Sequence, residues 1–363
     1  MTYALVTGGG TGGHVQPALA VAEELVRRGH ARAEVRFVGS QRGLEATAVP
    51  AAGFDIDLLP GRGLKRSLRP SALLDNVGAV LGAMRAFARS FRMVGRLRPR
   101  VVLGVGGYAS LPCIVAARLR RVPAVVHEQN AAPGLANRVG VRLGAHAAVS
   151  LPGTPLRDAV VTGNPVRAAL TDVERSPVTP TLVVIVGGSL GAGRLNEAAL
   201  GLYDSWRART DISIRHVCGP RNHDDISARL HALERADDAL DYTLVAYDDH
   251  IERCYAAASV FVCRAGAVTV AELAATGMPA VLVPLPGAPD DHQTRNAETL
   301  VDAGAGLLVA DAQLDGAHLA EVLDRLLADP AELARMGKAA RTVARPEAAA
   351  RVADLVEEVA RAA

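Results

Sequence analysis

Aromatic residues are scarce in this chain: one tryptophan, six tyrosines and five phenylalanines among 363 residues. Aliphatic side chains must therefore pack the cores, and a hydrophobic content of 50% is enough to do so. Lysine occurs only at Lys65 and Lys338, so arginine supplies almost all the positive charge. The four cysteines, Cys113, Cys218, Cys254 and Cys263, include no C-x-x-C pair. That spacing disfavours a zinc site and a disulfide framework, and Cys113 and Cys263, set in apolar runs, read as small core residues. No apolar run reaches the ~18 residues of a membrane-spanning helix. The N-terminus enters a strand at once, without the basic and then apolar stretch of a signal peptide. The expectation from these absences is a cytoplasmic protein without a metal.

A length of 363 residues points to about two domains. The net charge of +2 conceals an asymmetry. Residues 1–167 hold 22 Arg/Lys against 9 Asp/Glu, and the remainder holds 18 against 29. A basic first half suggests an anionic partner: phosphate groups, an acidic membrane or nucleic acid.

Short apolar runs punctuated by glycine turns organise both halves. Strands are expected at residues 3–7, 35–38, 56–59, 101–105, 124–127 and 147–149, with helices between them such as 17–28 and 111–119. The pattern restarts with strands at 181–186, 213–217, 243–245, 260–263, 280–283 and 306–309. Strands alternating with helices imply parallel sheets covered on both faces. The expected fold is α/β, with two Rossmann-like domains whose parallel sheets face a central cleft. The expected division is a first domain over 1–163, a linker over 164–180, a second domain over 181–345, and a last helix at 346–363 that crosses back to the first.

The turn Gly8-Gly9-Gly10-Thr11-Gly12-Gly13-His14 follows the first strand. Its glycines satisfy G-x-G-x-x-G, but the second strand ends Val38-Gly39-Ser40-Gln41 with no acid to hold a ribose, which weakens a dinucleotide reading. It also lacks the G-K-[ST] of a P-loop. What remains is an anion cradle ending in an imidazole at a helix N-terminus, where the dipole favours the neutral ring. A capping or packing role for His14 is the plain alternative. Gly104-Val105-Gly106-Gly107-Tyr108 is a second candidate cradle, or a tight strand–helix turn. His127-Glu128-Gln129-Asn130 places four polar side chains at the end of another strand, where ligands of parallel sheets bind. Asp55-Ile56-Asp57 spells a metal–nucleotide motif but alternates with apolar residues, and reads as the solvent side of a strand.

In the second half, Gly187-Gly188-Ser189 follows a strand. The run Arg264-Ala265-Gly266-Ala267-Val268-Thr269 leads to Glu272 on a helix, within reach of a bound ribose diol. Asp290-Asp291-His292-Gln293 opens another helix as a cap or as a reader of sugar hydroxyls. Residues 62–100 hold ten Arg/Lys and one acid, Asp75, interleaved with Leu, Val, Met and Phe. Such a pattern marks a membrane-surface helix, a core-facing helix with a solvated arginine face, or a helix whose apolar residues do both jobs.

Taken in order, these motifs together with Gly163-Asn164-Pro165-Val166-Arg167 resemble the MurG family. Those are the bacterial glycosyltransferases that move N-acetylglucosamine from UDP-N-acetylglucosamine to undecaprenyl-diphosphate-linked N-acetylmuramoyl-pentapeptide. The resemblance spans nearly the whole chain. It implies a GT-B fold, a cytoplasmic-face peripheral membrane protein, an anionic membrane surface as partner, and no nucleic acid or cofactor. It also implies a donor site in which Ser189 and Arg167 meet the diphosphate and Glu272 the ribose. Ala267, Val268 and Gln293 would meet the sugar side, Thr269 would bind the donor beside them, and Tyr247 would lie near the uracil. Thr11, Gly12, Gly13 and Asn130 would reach the donor sugar from the first domain. The acceptor diphosphate falls to Gly9, Gly10, Gly106, Gly107 and Tyr108. One departure stands out: Leu190 occupies the place where the family usually has Gln after Ser189.

Transfer from a nucleotide diphosphate needs a base for the acceptor hydroxyl and stabilisation of the leaving diphosphate. His14 is the candidate base, with orientation of the acceptor diphosphate as its alternative role. The helix start after Gly188 and Arg167 serve the leaving group. Direct attack inverts the anomeric centre. A UDP-sugar 2-epimerase and a paralogue with altered donor or acceptor are the rival readings.

Overall fold

The computed structural model describes residues 2–41, 43–60, 70–188 and 192–362, with side chains described outside 70–81. The chain divides into two compact units, Met1–Arg167 with Pro346–Ala363, and Ala168–Arg345.

In the first unit, short aliphatic runs form β1 (Ala4–Thr7), β2 (Val35–Ser40), β3 (Ile56–Leu59), β4 (Val101–Gly104), β5 (Ala124–Glu128), β6 (His146–Val149) and β7 (Val160–Val161). They make one parallel sheet in the order β3-β2-β1-β4-β5-β6-β7, with Ala4 opposite both Val35 and Val101. Helices α1 (Gly12–Arg27), α2 (Glu45–Ala51), α3 (Pro70–Leu97), α4 (Ser110–Leu119) and α5 (Leu135–Arg142) connect the strands. Because β1 and β4 are covered on both faces, all their residues are apolar or small and fully buried. The start of α1 differs from expectation. It begins at Gly12 instead of residue 17, with Thr11 as an extended N-cap, so His14 stands in the first turn and Pro17 lies inside the helix. Pro17 there forfeits one backbone bond, that to the Gly13 carbonyl. The two-residue edge strand β7 was too short to leave a periodic signal.

The basic stretch resolves into helix α3 where its side chains are described. Ala86, Ser90, Met93 and Val94 are buried, with Met93 and Val94 packed in the same cluster as Cys113 and Ile114 of α4. Arg85, Arg89, Arg92 and Arg96 follow one another at helical spacing and are exposed. The described part is thus a core-facing helix with a solvated arginine face.

The second unit carries α6 (Ala168–Thr171), β8 (Thr181–Val186), α7 (Gly193–Trp206), β9 (Ile212–Val217), α8 (His223–Leu233), β10 (Asp241–Val245), α9 (Ile251–Ala257), β11 (Val260–Cys263), α10 (Ala267–Thr276), β12 (Ala280–Leu282), α11 (His292–Val301), β13 (Gly306–Leu308), α12 (Gly316–Leu327) and α13 (Pro330–Val343). Its parallel sheet runs β10-β9-β8-β11-β12-β13. The stretch after Arg167 packs within this unit: the Arg175 guanidinium donates to the Gly277 and Ala258 carbonyls at 2.8 and 3.0 Å. The last helix, α14 (Ala348–Arg361), lies in the first unit, where Val352, Val356 and Val359 join the core built by Ala18, Val21 and Leu25 of α1. Arg28 fastens it, pairing with Asp354 at 2.7 Å and Glu357 at 3.1 Å.

A buried polar cluster crosses the second unit. Asn196 on α7 donates its amide to the Cys218 carbonyl at 3.1 Å, which leaves its Oδ1 to accept from His216 Nε2 at 3.0 Å. The Tyr242 hydroxyl then donates to His216 Nδ1 at 2.8 Å. Burial pushes the His216 pKa down to about 4, so the ring is neutral in the fold. The unfolded chain takes up a proton below about pH 6.5 and the folded one does not. Stability from this group is complete above about pH 6.5 and is lost as pH falls towards 4, by up to roughly 3 kcal/mol. Denaturant melts from pH 7 to 4, followed by Trp206, the single tryptophan and a core residue of this unit, read that slope. The expected outcome is that His216→Gln flattens it; an unchanged slope contradicts the assignment.

Candidate active site

Ligands of parallel α/β sheets bind beyond the carboxyl ends of the strands, where helix N-termini present unpaired N–H groups. In the first unit, β1, β4 and β5 deliver three polar turns to that edge. The turns after β1 and β4 meet backbone to backbone. A Cβ added to Gly107 (φ +82°) would collide with the Gly9 carbonyl, and one on Gly8 would lie 2.7 Å from the Gly106 carbonyl. Only glycine permits this approach. Thr7 Oγ1 donates to the Ala109 carbonyl at 3.0 Å and ties the end of β1 to the residue before α4.

His14 lies at this junction. Its backbone N–H donates to the Thr11 carbonyl at 3.1 Å, and its Nδ1 stands 3.4 Å from Thr11 Oγ1. A Cβ on Gly106 would lie 3.0 Å from His14 Cδ2 and Nε2, so the ring rests against the second turn. Gly9, Gly10, Thr11, Gly12, Gly13, Gly106 and Gly107 are thus gathered at one strand edge with His14. Tyr108 is beside them, its hydroxyl donating to the Pro60 carbonyl at 3.0 Å and its pKa raised by burial. The Gly10 N–H is already engaged, donating to Glu45 Oε2 at 2.7 Å.

The turn after β5 corrects the reading of residues 127–130. His127, Glu128 and Gln129 are buried and bonded internally. His127 Nε2 donates to the Gly163 carbonyl at 3.0 Å, and burial holds its pKa below the usual imidazole range. Glu128 accepts from the N–H groups of Asn130 and Gly134 at 3.0 and 2.8 Å and from the Asn137 amide at 2.8 Å. These three side chains build the turn; Asn130 is the member left partly exposed. Asn137 was not singled out from sequence, because a lone asparagine within an amphipathic helix carries no local signal. Arg167 is the last residue of this unit.

In the second unit, the helix after β8 is α7, starting at Gly193. Ser189 and Leu190 lie outside the described residues. Beyond β11, Gly266, Ala267, Val268 and Thr269 are partly exposed at the start of α10. Arg264, just before them, pairs with Asp311 at 2.6 Å, and Asp311 also pairs with Arg194 at 3.1 Å. Asn296 Nδ2 on α11 donates to the Ala265 carbonyl at 3.2 Å. Gln293, on the same helix, accepts the Leu285 N–H through Oε1 at 2.9 Å. Tyr247, beyond β10, is 51% exposed. Glu272 is 9% exposed, and its Oε2 accepts from the buried Tyr255 hydroxyl at 3.2 Å. Tyr255 in turn stacks on Phe261 of β11 with ring centroids 4.4 Å apart.

Asp55 and Asp57 both face Arg36, at 3.1 and 3.4 Å. Among the described residues, no group of three or more His, Cys, Asp or Glu side chains is placed to hold a metal ion. Among them, too, no helix is long and apolar enough to cross a membrane.

Two family models match the chain: the glycosyltransferase family 28 N-terminal domain over residues 4–149 and the family 28 C-terminal domain over residues 182–358. Alkalilimnicola ehrlichii has a relative 43% identical over 98% of this chain and 99% of its own length. It is named UDP-N-acetylglucosamine--N-acetylmuramyl-(pentapeptide) pyrophosphoryl-undecaprenol N-acetylglucosamine transferase. The crystal structure of Acinetobacter baumannii MurG is 29% identical and superposes with a TM-score of 0.75, covering 99% of this chain and all of that one. A putative UDP-N-acetylglucosamine 2-epimerase from Listeria monocytogenes, 13% identical with a TM-score of 0.69 over 100% of this chain and 98% of its own, shares the fold alone. Two parallel-sheet α/β units carrying these domain models constitute a GT-B fold.

The Glu272–Tyr255 bond yields a prediction. Glu272→Ala removes a hydrogen bond between a buried hydroxyl and a carboxylate, a cost of about 1.5–3 kcal/mol. Glu272→Gln keeps an acceptor in place. Denaturant melts of the two variants should therefore differ, the alanine variant unfolding earlier; equal midpoints would show that the bond carries no stability.

Proposed function

The chain belongs to the MurG family of glycosyltransferases, and on that premise we propose how its residues divide the reaction. It is a hexosyltransferase that moves N-acetylglucosamine from UDP-N-acetylglucosamine to the 4-hydroxyl of lipid-linked N-acetylmuramoyl-pentapeptide, turning lipid I into lipid II in peptidoglycan synthesis. The geometric observation that carries the residue assignment is His14. The ring stands in the first turn of α1, held by Thr11 and resting against Gly106, at the meeting of two turns suited to an anion.

The acceptor is assigned to the first unit, its diphosphate to the turns of Gly9, Gly10, Gly106 and Gly107 with Tyr108. Gly10 shapes its turn, since its N–H is given to Glu45. His14 takes the proton of the attacking hydroxyl, a role that typically contributes ~10²–10⁴-fold. The donor is assigned chiefly to the second unit. Glu272, oriented by Tyr255, meets the ribose; Ala267, Val268, Thr269 and Gln293 meet the sugar side; Tyr247 lies by the uracil. Ser189, Arg167 and the start of α7 carry the charge of the departing diphosphate. Thr11, Gly12, Gly13 and Asn130 are assigned contacts to the donor sugar. Attack from the face opposite the leaving group inverts the anomeric centre, and no metal is assigned a step.

We assign the protein to the cytoplasmic face of the cell membrane as a peripheral protein. The exposed stripe Arg85, Arg89, Arg92 and Arg96 on α3 supports an anionic lipid surface as partner.

One assay tests these assignments. Incubation with UDP-N-acetylglucosamine, with and without lipid-linked acceptor, separates transfer from epimer formation and from binding alone. Transfer is expected, and it should persist in excess EDTA; loss restored by magnesium would overturn the metal-free step. His14→Ala should lower kcat strongly, leave donor affinity unchanged and remove the acidic limb of the kcat–pH profile. A raised acceptor KM with the limb intact would assign His14 to the acceptor diphosphate instead. Reversing the four α3 arginines to Glu should weaken transfer to acceptor in anionic vesicles and spare a short-chain soluble acceptor; equal loss on both would remove the membrane role.

A further inference from the structure

Glu45 opens α2 and is 2% exposed, although it carries a carboxylate and belongs to no motif of the reaction. Its Oε2 accepts the Gly10 N–H and its Oε1 the Ser40 N–H, both at 2.7 Å. Short bonds from backbone N–H to a carboxylate are charge-assisted and among the stronger kind. Three glycines make room for it: a Cβ on Gly9, Gly39 or Gly43 would overlap the Glu45 side chain. The chain thus surrenders three side chains, in the turn after β1, at the end of β2 and before α2, so that one acid can lie between them.

We propose that Glu45 is the positioning residue of the first glycine turn, fixing the course of the backbone through Gly10 and thereby the placement of His14 and the seat of the acceptor's diphosphate. The route is short. Gly10 is held by Glu45; Thr11 follows as the N-cap of α1; the Thr11 carbonyl accepts the His14 N–H at 3.1 Å and the Val15 N–H at 3.2 Å. Glu45 has a second effect. With its N–H occupied, Gly10 offers no donor, and a carboxylate beside it repels an anion approaching from that side. The diphosphate is thereby directed to the rest of the cradle, towards the turn that carries Gly106. A dinucleotide fold places an acid at the end of the second strand to grip a ribose; here the acid comes from the following helix and grips the turn itself.

This inference rests on the acceptor being bound by the first unit, and the test separates the two. Glu45→Gln is isosteric and can accept one of the two N–H groups, while its NH₂ faces the other. It should lower kcat/KM for the lipid-linked acceptor by on the order of a hundredfold, the scale of a misplacement near 1 Å. Binding of UDP, which lacks the sugar those glycines are assigned to, and the Trp206 fluorescence should stay unchanged, and the acidic limb of the kcat–pH profile should shift as His14 moves. Amide exchange at Gly10 should speed up. Glu45→Asp, which keeps the charge one methylene short, should restore part of the loss. Wild-type acceptor kinetics and unchanged Gly10 exchange in Glu45→Gln would overturn the proposal. If Glu45→Gln loses helical circular dichroism, Glu45→Asp takes its place with the same readouts. If the wild type itself transfers nothing, the acceptor assignment fails, and Gly10 exchange alone decides whether Glu45 holds the turn.

Discussion

Beyond the ends of β1 and β4 in the first unit, two stretches of backbone meet at glycines. Gly8 and Gly9 on one turn and Gly106 and Gly107 on the other approach so closely that a methyl group on Gly8 or Gly107 would collide with the opposing chain. That contact is possible because β1 and β4 are neighbours in the sheet and end in register, Thr7 opposite Gly104. The placement of His14 depends on it, because the ring rests on Gly106. A bulkier second turn would push the imidazole away from the strand edge. The chemistry assigned to this edge therefore begins with a steric allowance in the main chain, before any functional side chain is chosen.

The two units solve a shared problem in the same way. A parallel sheet buries its strands, and the carbonyls at their carboxyl ends still need donors. Buried asparagines supply them. Asn137 donates to the His127 carbonyl, Asn196 to Cys218 and Asn296 to Ala265, each from a helix onto the end of a strand. These side chains rank among the most deeply buried polar groups in the molecule. They tie the turns to the helices from within.

Much of this was legible in the sequence. The strands β3, β8 and β11 have the bounds that their apolar runs indicate, and β11, buried along its whole length, admits little else. The glycine turns marked where the backbone after β1 meets the backbone after β4, because close approach demands that residue. What stayed hidden depends on contacts between distant segments. Pro17 suggested a helix start and lies inside α1. The run His127-Glu128-Gln129 looked like a ligand surface and proved to be scaffold, since polarity alone does not say which way a side chain faces. Glu272 read as a ribose contact, and its hydrogen-bond partner Tyr255, 17 residues away on α9, was not legible. Glu45 gave no signal at all, because its partners Gly10 and Ser40 become neighbours only when β1 and β2 pair.

The docking of α14 on α1 has a consequence for how the molecule is made. The first unit is interrupted: 178 residues of the second unit are translated between Arg167 and the segment that completes the first. During synthesis, the apolar faces of Ala18, Val21 and Leu25 have no cover until Val352, Val356 and Val359 leave the ribosome. The second unit has all of its own strands by then and can close first, although it is encoded later. A chain that stops short by a single helix would lack nothing from its second sheet and would still expose the core of its first.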